Sequence, residues 1–212
     1  MTPDETTGTG RYMHMRKTMD SICWIETIPY ASSTARLREI YDKVKSPQGS
    51  IDNVYQAQSL RPHTIIGHDT LYRSVLHDSG NLLADWFLEA IAVYTCLLLK
   101  CSYAVTHHFA NMKVLLNDDQ RSGIIYEAFS DNDLDKAFQG HELALLDYVS
   151  KLTKSPGEMV PSDIAKLQNL GIEDGFILEV NQVCASFNYS ARVINGLGVK
   201  IGGDIIGFYP GS

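Results

Sequence analysis

At 212 residues, with 44% apolar and 20% charged side chains, the chain is long enough to bury a core without staples and too apolar to be disordered or low-complexity. Its formal net charge of −7 at pH 7 excludes a general affinity for polyanions, so neither nucleic acid nor a membrane surface is expected as a partner. Four cysteines, Cys23, Cys96, Cys101 and Cys184, are too few and too irregularly spaced for a secreted disulfide framework, which points to reduced thiols and a cytoplasmic location.

Residues 1–22 combine Thr, Gly and charge with no periodic apolar face and no apolar run of the signal-peptide kind. They are expected to form a flexible tail, carrying the densest basic group, Arg11, Arg16 and Lys17, ahead of a single domain over 23–212. Ser32, Ser33 and Thr34 then offer caps for a helix whose Leu37, Ile40, Tyr41 and Val44 share one stripe, with Pro47 and Gly49 ending it. Pro62 suits the first turn of the next helix, whose apolar set is Ile65, Ile66, Leu71, Tyr72 and Val75 and whose stop is Gly80.

Residues 82–99 are apolar nearly all round, which marks a central helix covered on most sides. The most apolar run, 90–99, is about half of what a membrane span needs. Helical patterning continues over 102–116, 118–130 and 141–154. Pro161-Ser162-Asp163 opens a short helix stopped by Gly171, and a long helix covers 176–197. Only the C-terminal VKIGGDIIGFY reads as a short extended piece, so the class is all-α. A short echo between Asp85–Glu89 and Asp174–Glu179 suggests two similar helical units about a pseudo-dyad.

One stretch gathers the group types of an activated-cysteine site: Glu89, Cys101 and His108 supply a carboxylate, a thiol and an imidazole. On a helix, Cys101, Ala104 and His108 fall on one face, while His107 points about 100° away, so one of the two histidines should face the thiol. Glu89 would lie roughly 18 Å from Cys101 along an unbroken helix, and joins the site only if the chain folds back between Leu97 and Ser102. By spacing alone, plain structural roles for a capping Glu, a buried Cys and surface His residues outweigh a catalytic one.

A metal held by His107 or His108 with Cys101 and Glu89 is the weaker option, because no spaced ligand pair such as H-x-x-x-H is present; no metal is expected. His63, His68, His77 and His141 are scattered and receive no role. No organic cofactor is expected either, since GIEDG and GLGVKIGG lack the strand-then-helix setting of a dinucleotide fingerprint.

Glu89, twelve residues before Cys101, followed by Cys101-Ser102-Tyr103-Ala104-Val105-Thr106-His107-His108, resembles the E-x11-C-x-x-C-x-x-x-H motif of the alkyl hydroperoxidase D-like, carboxymuconolactone decarboxylase superfamily, in its peroxidase-related branch. The resemblance extends from about Trp24 to Val199 and includes WIETIPY, LLDYVSKLTKSPGEMVPSDIAKLQNLGIEDGFILEV and FNYSARVINGLGV. It implies an all-α bundle of helical hairpins that assembles as a homo-oligomer, a dimer, trimer or hexamer. In redox members the cysteine nearer the His attacks a hydroperoxide with a Glu and His proton relay, the first cysteine resolves the sulfenic acid, and a dithiol partner reduces the disulfide.

Carried onto this chain, Glu89 matches the relay carboxylate, His108 the relay imidazole and Cys101 the resolving thiol, while Ala104 stands where the attacking cysteine would be. Cys96 lies about 140° around a regular helix from Cys101, so a disulfide between them would need a backbone break. Three readings follow. In a one-cysteine peroxidase, Cys101 is activated by His108 and Glu89 and reduced by an external thiol, which requires an accessible thiol. A decarboxylase-like lyase would use the Glu/His pair on a carboxylated substrate, with Lys100, Lys113 and Arg192 as the nearest cations. A non-catalytic oligomeric homologue would have its pocket filled by side chains such as Tyr103, Trp86 and Phe109.

Overall fold

The computed structural model describes residues 21–207, and among them it contains α-helices, three short 3-10 turns and no strand. The helices are α1 (Ala35–Val44), α2 (Asn53–Gln56), α3 (Pro62–Leu76), α4 (Asp85–Leu98), α5 (Ser102–Leu116), α6 (Asp119–Asp131), α7 (Gly140–Lys154), α8 (Pro161–Asn169) and α9 (Asp174–Leu197). Local chemistry sets several of the ends. Pro62 occupies the first turn of α3, where its missing N–H costs nothing. The Asp118 carboxylate accepts the Arg121 N–H at 2.9 Å to cap α6, and Asp163 reaches back to the Val160 N–H at 2.8 Å to cap α8.

The nearly all-round apolar helix anticipated over 82–99 is α4, and it is the centre of the molecule. Every residue from Phe87 to Cys96 is buried, and α5, α7 and α9 pack around it. Fully burying a side chain such as Leu88 or Ile91 contributes about 1.5–3 kcal/mol, so the unbroken buried run makes α4 a major contributor to the core. A smaller core, Leu37, Ile40, Tyr41, Val44, Tyr55 and Ile65, joins α1 and α2 to α3. The helices opening at Asp85 and Asp174 do pack on each other, but their glutamates differ in role. Glu179 accepts the Leu82 and Leu83 N–H groups at 2.8 and 3.1 Å, whereas Glu89 turns inward.

Two sequence expectations change. The C-terminal piece, as far as residue 207, is a series of turns rather than an extended strand, because Gly203 and Gly207 take positive φ values of 96° and 67° and Asp204 is drawn inward to the Asn53 N–H at 3.0 Å. Ser21 and Ile22 already belong to the folded unit: the Lys200 N–H donates to the Ile22 carbonyl at 2.8 Å, next to a 2.7 Å bond from the Trp24 N–H to the Leu197 carbonyl. The rest of the anticipated tail, with Arg11, Arg16 and Lys17, lies outside the described residues. Among the described residues no helix is long and apolar enough to cross a membrane.

Candidate active site

The fold-back required between Leu97 and Ser102 is present without a glycine or proline. Lys100 takes the left-handed conformation, φ 54°, its N–H bonds the Leu97 carbonyl at 3.0 Å, and the Cys101 N–H bonds the Cys96 carbonyl at 2.9 Å. This pair of bonds is a Schellman closure, which ends α4 and turns the chain so that α5 runs back along it. The turn brings Glu89 on α4 beside His108 on α5, nineteen residues apart in sequence, with Nδ1 of His108 2.7 Å from Oε2 of Glu89. A carboxylate only accepts, so Nδ1 is the donor, and the ring lines a pocket.

Glu89 is 1% exposed, and burying its charge is sustained by both oxygens having partners. The second is Asn111 on α5, whose Nδ2 donates to Oε1 at 3.1 Å. That bond fixes the amide orientation and leaves Asn111 Oδ1 buried, with no partner among the described residues. Phe187 of α9 meets the His108 ring edge to face at 4.5 Å between centroids, holding the ring plane.

The pocket has a cavity volume of about 100 Å³, room for a small solute. Its walls include Ala104, His107, His108 and Asn111 of α5, with Asp52 and His68 from α2 and α3's side of the molecule. His107 and His108 both line it, although helix geometry suggested that one would turn away. The ring of His107 packs on Tyr103 at 4.9 Å, and its Nε2 sits 3.6 Å from the Asp204 carboxylate with no hydrogen bond. A pocket that extends around the helix, from Ala104 to Asn111, admits two neighbouring positions.

Three further residues carry no motif signal. Asp52 has its carboxyl pushed up by burial and by Asp204, opposed by the neighbouring histidines. His68, which received no role, is buried and lines the pocket; Gln58 Nε2 donates to its Nδ1 at 2.9 Å and Nε2 meets Ser190 Oγ at 3.0 Å. Burial pushes the His68 pKa down to about 4. Asn111 was the most readable of the three, lying seven residues after Ala104 and three after His108, on the same helical face.

Cys101 departs from expectation. It is 0% exposed and does not line the pocket, although Ala104 and His108, on the same helical face, do. It sits immediately before α5, and the Ala104 N–H donates to its sulfur. The thiol pKa is lowered, first by the neighbouring Cys96 thiol, against the opposing effect of burial, with the Ala104 amide adding to the lowering. Cys96 is pushed well up by burial. All four cysteines are free and buried.

The cations proposed to hold a carboxylated substrate lie elsewhere. Lys113 pairs with Asp119 at 2.9 Å, Arg192 donates to the Asn188 carbonyl at 2.7 Å, and exposed Lys100 forms the α4–α5 turn. The proposed fillers are absent from the pocket lining too: Trp86 lies under Arg121, Phe109 against Tyr126, and Tyr103 donates to Asp204. Among the described residues no three His, Cys, Asp or Glu side chains are grouped to hold a metal ion.

No family model matches the sequence, and no curated protein is similar to it in sequence. Solved structures do match in fold. A peroxidase-related protein with an alkylhydroperoxidase AhpD core from Ralstonia eutropha superposes with a TM-score of 0.73 at 21% identity, covering 86% of this chain and 94% of that one. A peroxidase-related protein from Silicibacter gives 0.73 at 20% identity, with 89% and 96% covered. A protein of unknown function from Agrobacterium tumefaciens, named for AhpD and antioxidant defence, gives 0.56 at 15%, with 69% and 96% covered. The chain has the alkyl hydroperoxidase D-like fold.

Proposed function

We propose that this protein is a peroxidase-related oxidoreductase that reduces a small peroxide through Cys101, with Glu89 and His108 as the proton relay. The observation that carries the reading is the 2.7 Å Glu89–His108 bond, buried at the edge of a pocket with room for a small molecule. Cys101 attacks one peroxide oxygen; the S–O bond forms as the O–O bond breaks, sulfur loses two electrons, and the thiol proton reaches the leaving oxygen through His108. The peroxide has to pass the Ala104 wall, which favours hydrogen peroxide and short alkyl hydroperoxides. An external thiol returns the electrons, and homo-oligomerisation belongs to the same reading.

A lyase using His108 and Glu89 as acid and base is the second reading, favoured by a pocket lined by imidazole but by no sulfur. Against it, the two cations on the pocket wall are engaged: Lys45 with Asp42 at 2.5 Å and Arg73 with Asp69 at 3.0 Å. Peroxide consumption in the presence of a small dithiol separates the two. Cys101→Ser should abolish it and His108→Ala should lower it by about 100-fold or more; consumption unchanged by Cys101→Ser would refute the thiol mechanism.

A further inference from the structure

The sequence motif lacks its second sulfur, yet Cys101 is not an isolated thiol. The backbone break that a Cys96–Cys101 disulfide would need is the one Lys100 provides. In the Schellman closure Cys96 is the third residue from the end of α4 and Cys101 the second beyond its cap, and these are the two positions whose side chains characteristically meet across the turn. The 2.9 Å bond from the Cys101 N–H to the Cys96 carbonyl draws the two backbones together across the turn. Both side chains are 0% exposed, so the oxidant and the reducing dithiol reach the pair only when the turn opens.

We infer that Cys96 and Cys101 form a redox-active dithiol, in which Cys96 takes the resolving role and Cys101 the attacking one. The peroxide step rests on the function proposed above. After Cys101 has become a sulfenic acid, the Cys96 sulfur attacks the Cys101 sulfur; the S–S bond forms, the S–O bond breaks, and the hydroxyl leaves as water with the Cys96 proton. A small external dithiol then reduces the disulfide by exchange and is itself oxidised to its cyclic disulfide. The lowered Cys101 thiol and the raised Cys96 thiol agree with this division, because the attacker is the one whose thiolate is stabilised.

The alternative partner is Cys184 on α9, also buried, whose sulfur is 3.2 Å from Thr153 Oγ1. Lys100 lies between the two turn cysteines, so tryptic cleavage leaves them on separate peptides that only their disulfide joins. Two treatments of the wild-type protein, each followed by alkylation and non-reducing peptide mapping, decide the matter. One is equilibration in oxidised and reduced dithiothreitol, which tests the pair; the other is one equivalent of hydrogen peroxide, which tests the peroxidase reading as well.

The expected result is one Cys96–Cys101 crosslink, with loss of two hydrogens, in both treatments, and its absence in Cys96→Ala. A crosslink in the dithiol buffer alone keeps the pair and overturns the peroxide chemistry. Cys101 sulfenic acid without a crosslink in either treatment keeps the peroxide chemistry and overturns the pair, as would a Cys96–Cys184 crosslink. No oxidation under either condition overturns both. Cys184→Ala, outside the pair, should form the crosslink as wild type does.

Discussion

His68 offers a quantitative test of the buried polar wall on which the pocket depends. The neutral ring is held between Gln58 and Ser190, and a proton added to Nδ1 would face the Gln58 amide donor with no acceptor. Its folded pKa of about 4 lies below the ordinary 6.5. As pH falls, the unfolded chain takes up its proton near 6.5 while the folded chain does not until about 4, so stability declines across that interval and the penalty is complete below it. At about 1.4 kcal/mol per pH unit, the loss is roughly 3 kcal/mol, a sizeable part of a typical domain's 5–15 kcal/mol.

The measurement is urea unfolding followed by circular dichroism at pH 7.5, 6.5, 5.5 and 4.5, at one protein concentration, for the wild type and His68→Gln. Other groups, Asp52 among them, titrate in both proteins, so the readout is the difference between the two profiles. The wild type should lose about 2.5 kcal/mol more than the variant between the ends of the range. Parallel profiles would refute the argument that burial keeps His68 neutral.

Ala104→Cys should create the peroxide-facing thiol that the pocket lacks. The added sulfur has the free volume of the pocket before it and His108 one turn ahead on the same face; peroxide consumption should rise by about 100-fold or more, and an unchanged rate would show that the Glu89–His108 pair is not poised for peroxide. Lys100→Gly should stabilise the protein by about 0.5–1 kcal/mol, a rise in Tm of about 1–4 °C, because glycine takes the left-handed conformation at no steric cost. A lower melting temperature would mean that the lysine side chain, rather than the backbone conformation, matters there.

Helix periodicity made most of the fold legible, since α4 and α5 are defined by burial patterns that a 3.6-residue repeat exposes directly. The α4–α5 turn was harder. Nothing in Leu99-Lys100-Cys101 marks a left-handed residue, and only the requirement that Glu89 meet His108 forced a break there. Once the break exists, two of the three motif residues come together and the third does not. Cys101 shares a helical face with His108 on paper, but as the residue before the helix it follows the incoming chain, φ −97° and ψ 81°, and it is buried outside the pocket lining. Asp52 and His68 were invisible because their role depends on packing between segments far apart in sequence.

Two contacts near the site differ in what it costs the chain to make them. Glu89 and His108 close a loop of 19 residues, whereas Asn53 and Asp204, which fasten the C-terminal turns over His107, close one of 151. Closure entropy grows with the logarithm of loop length, so the longer loop costs about 2 kcal/mol more before any contact rewards it. The Glu89–His108 pair is therefore a product of one local hairpin, formed as soon as α5 lies along α4, while the cavity beside it also needs Asp52 and His68 from before the hairpin and Phe187 and Ser190 from α9.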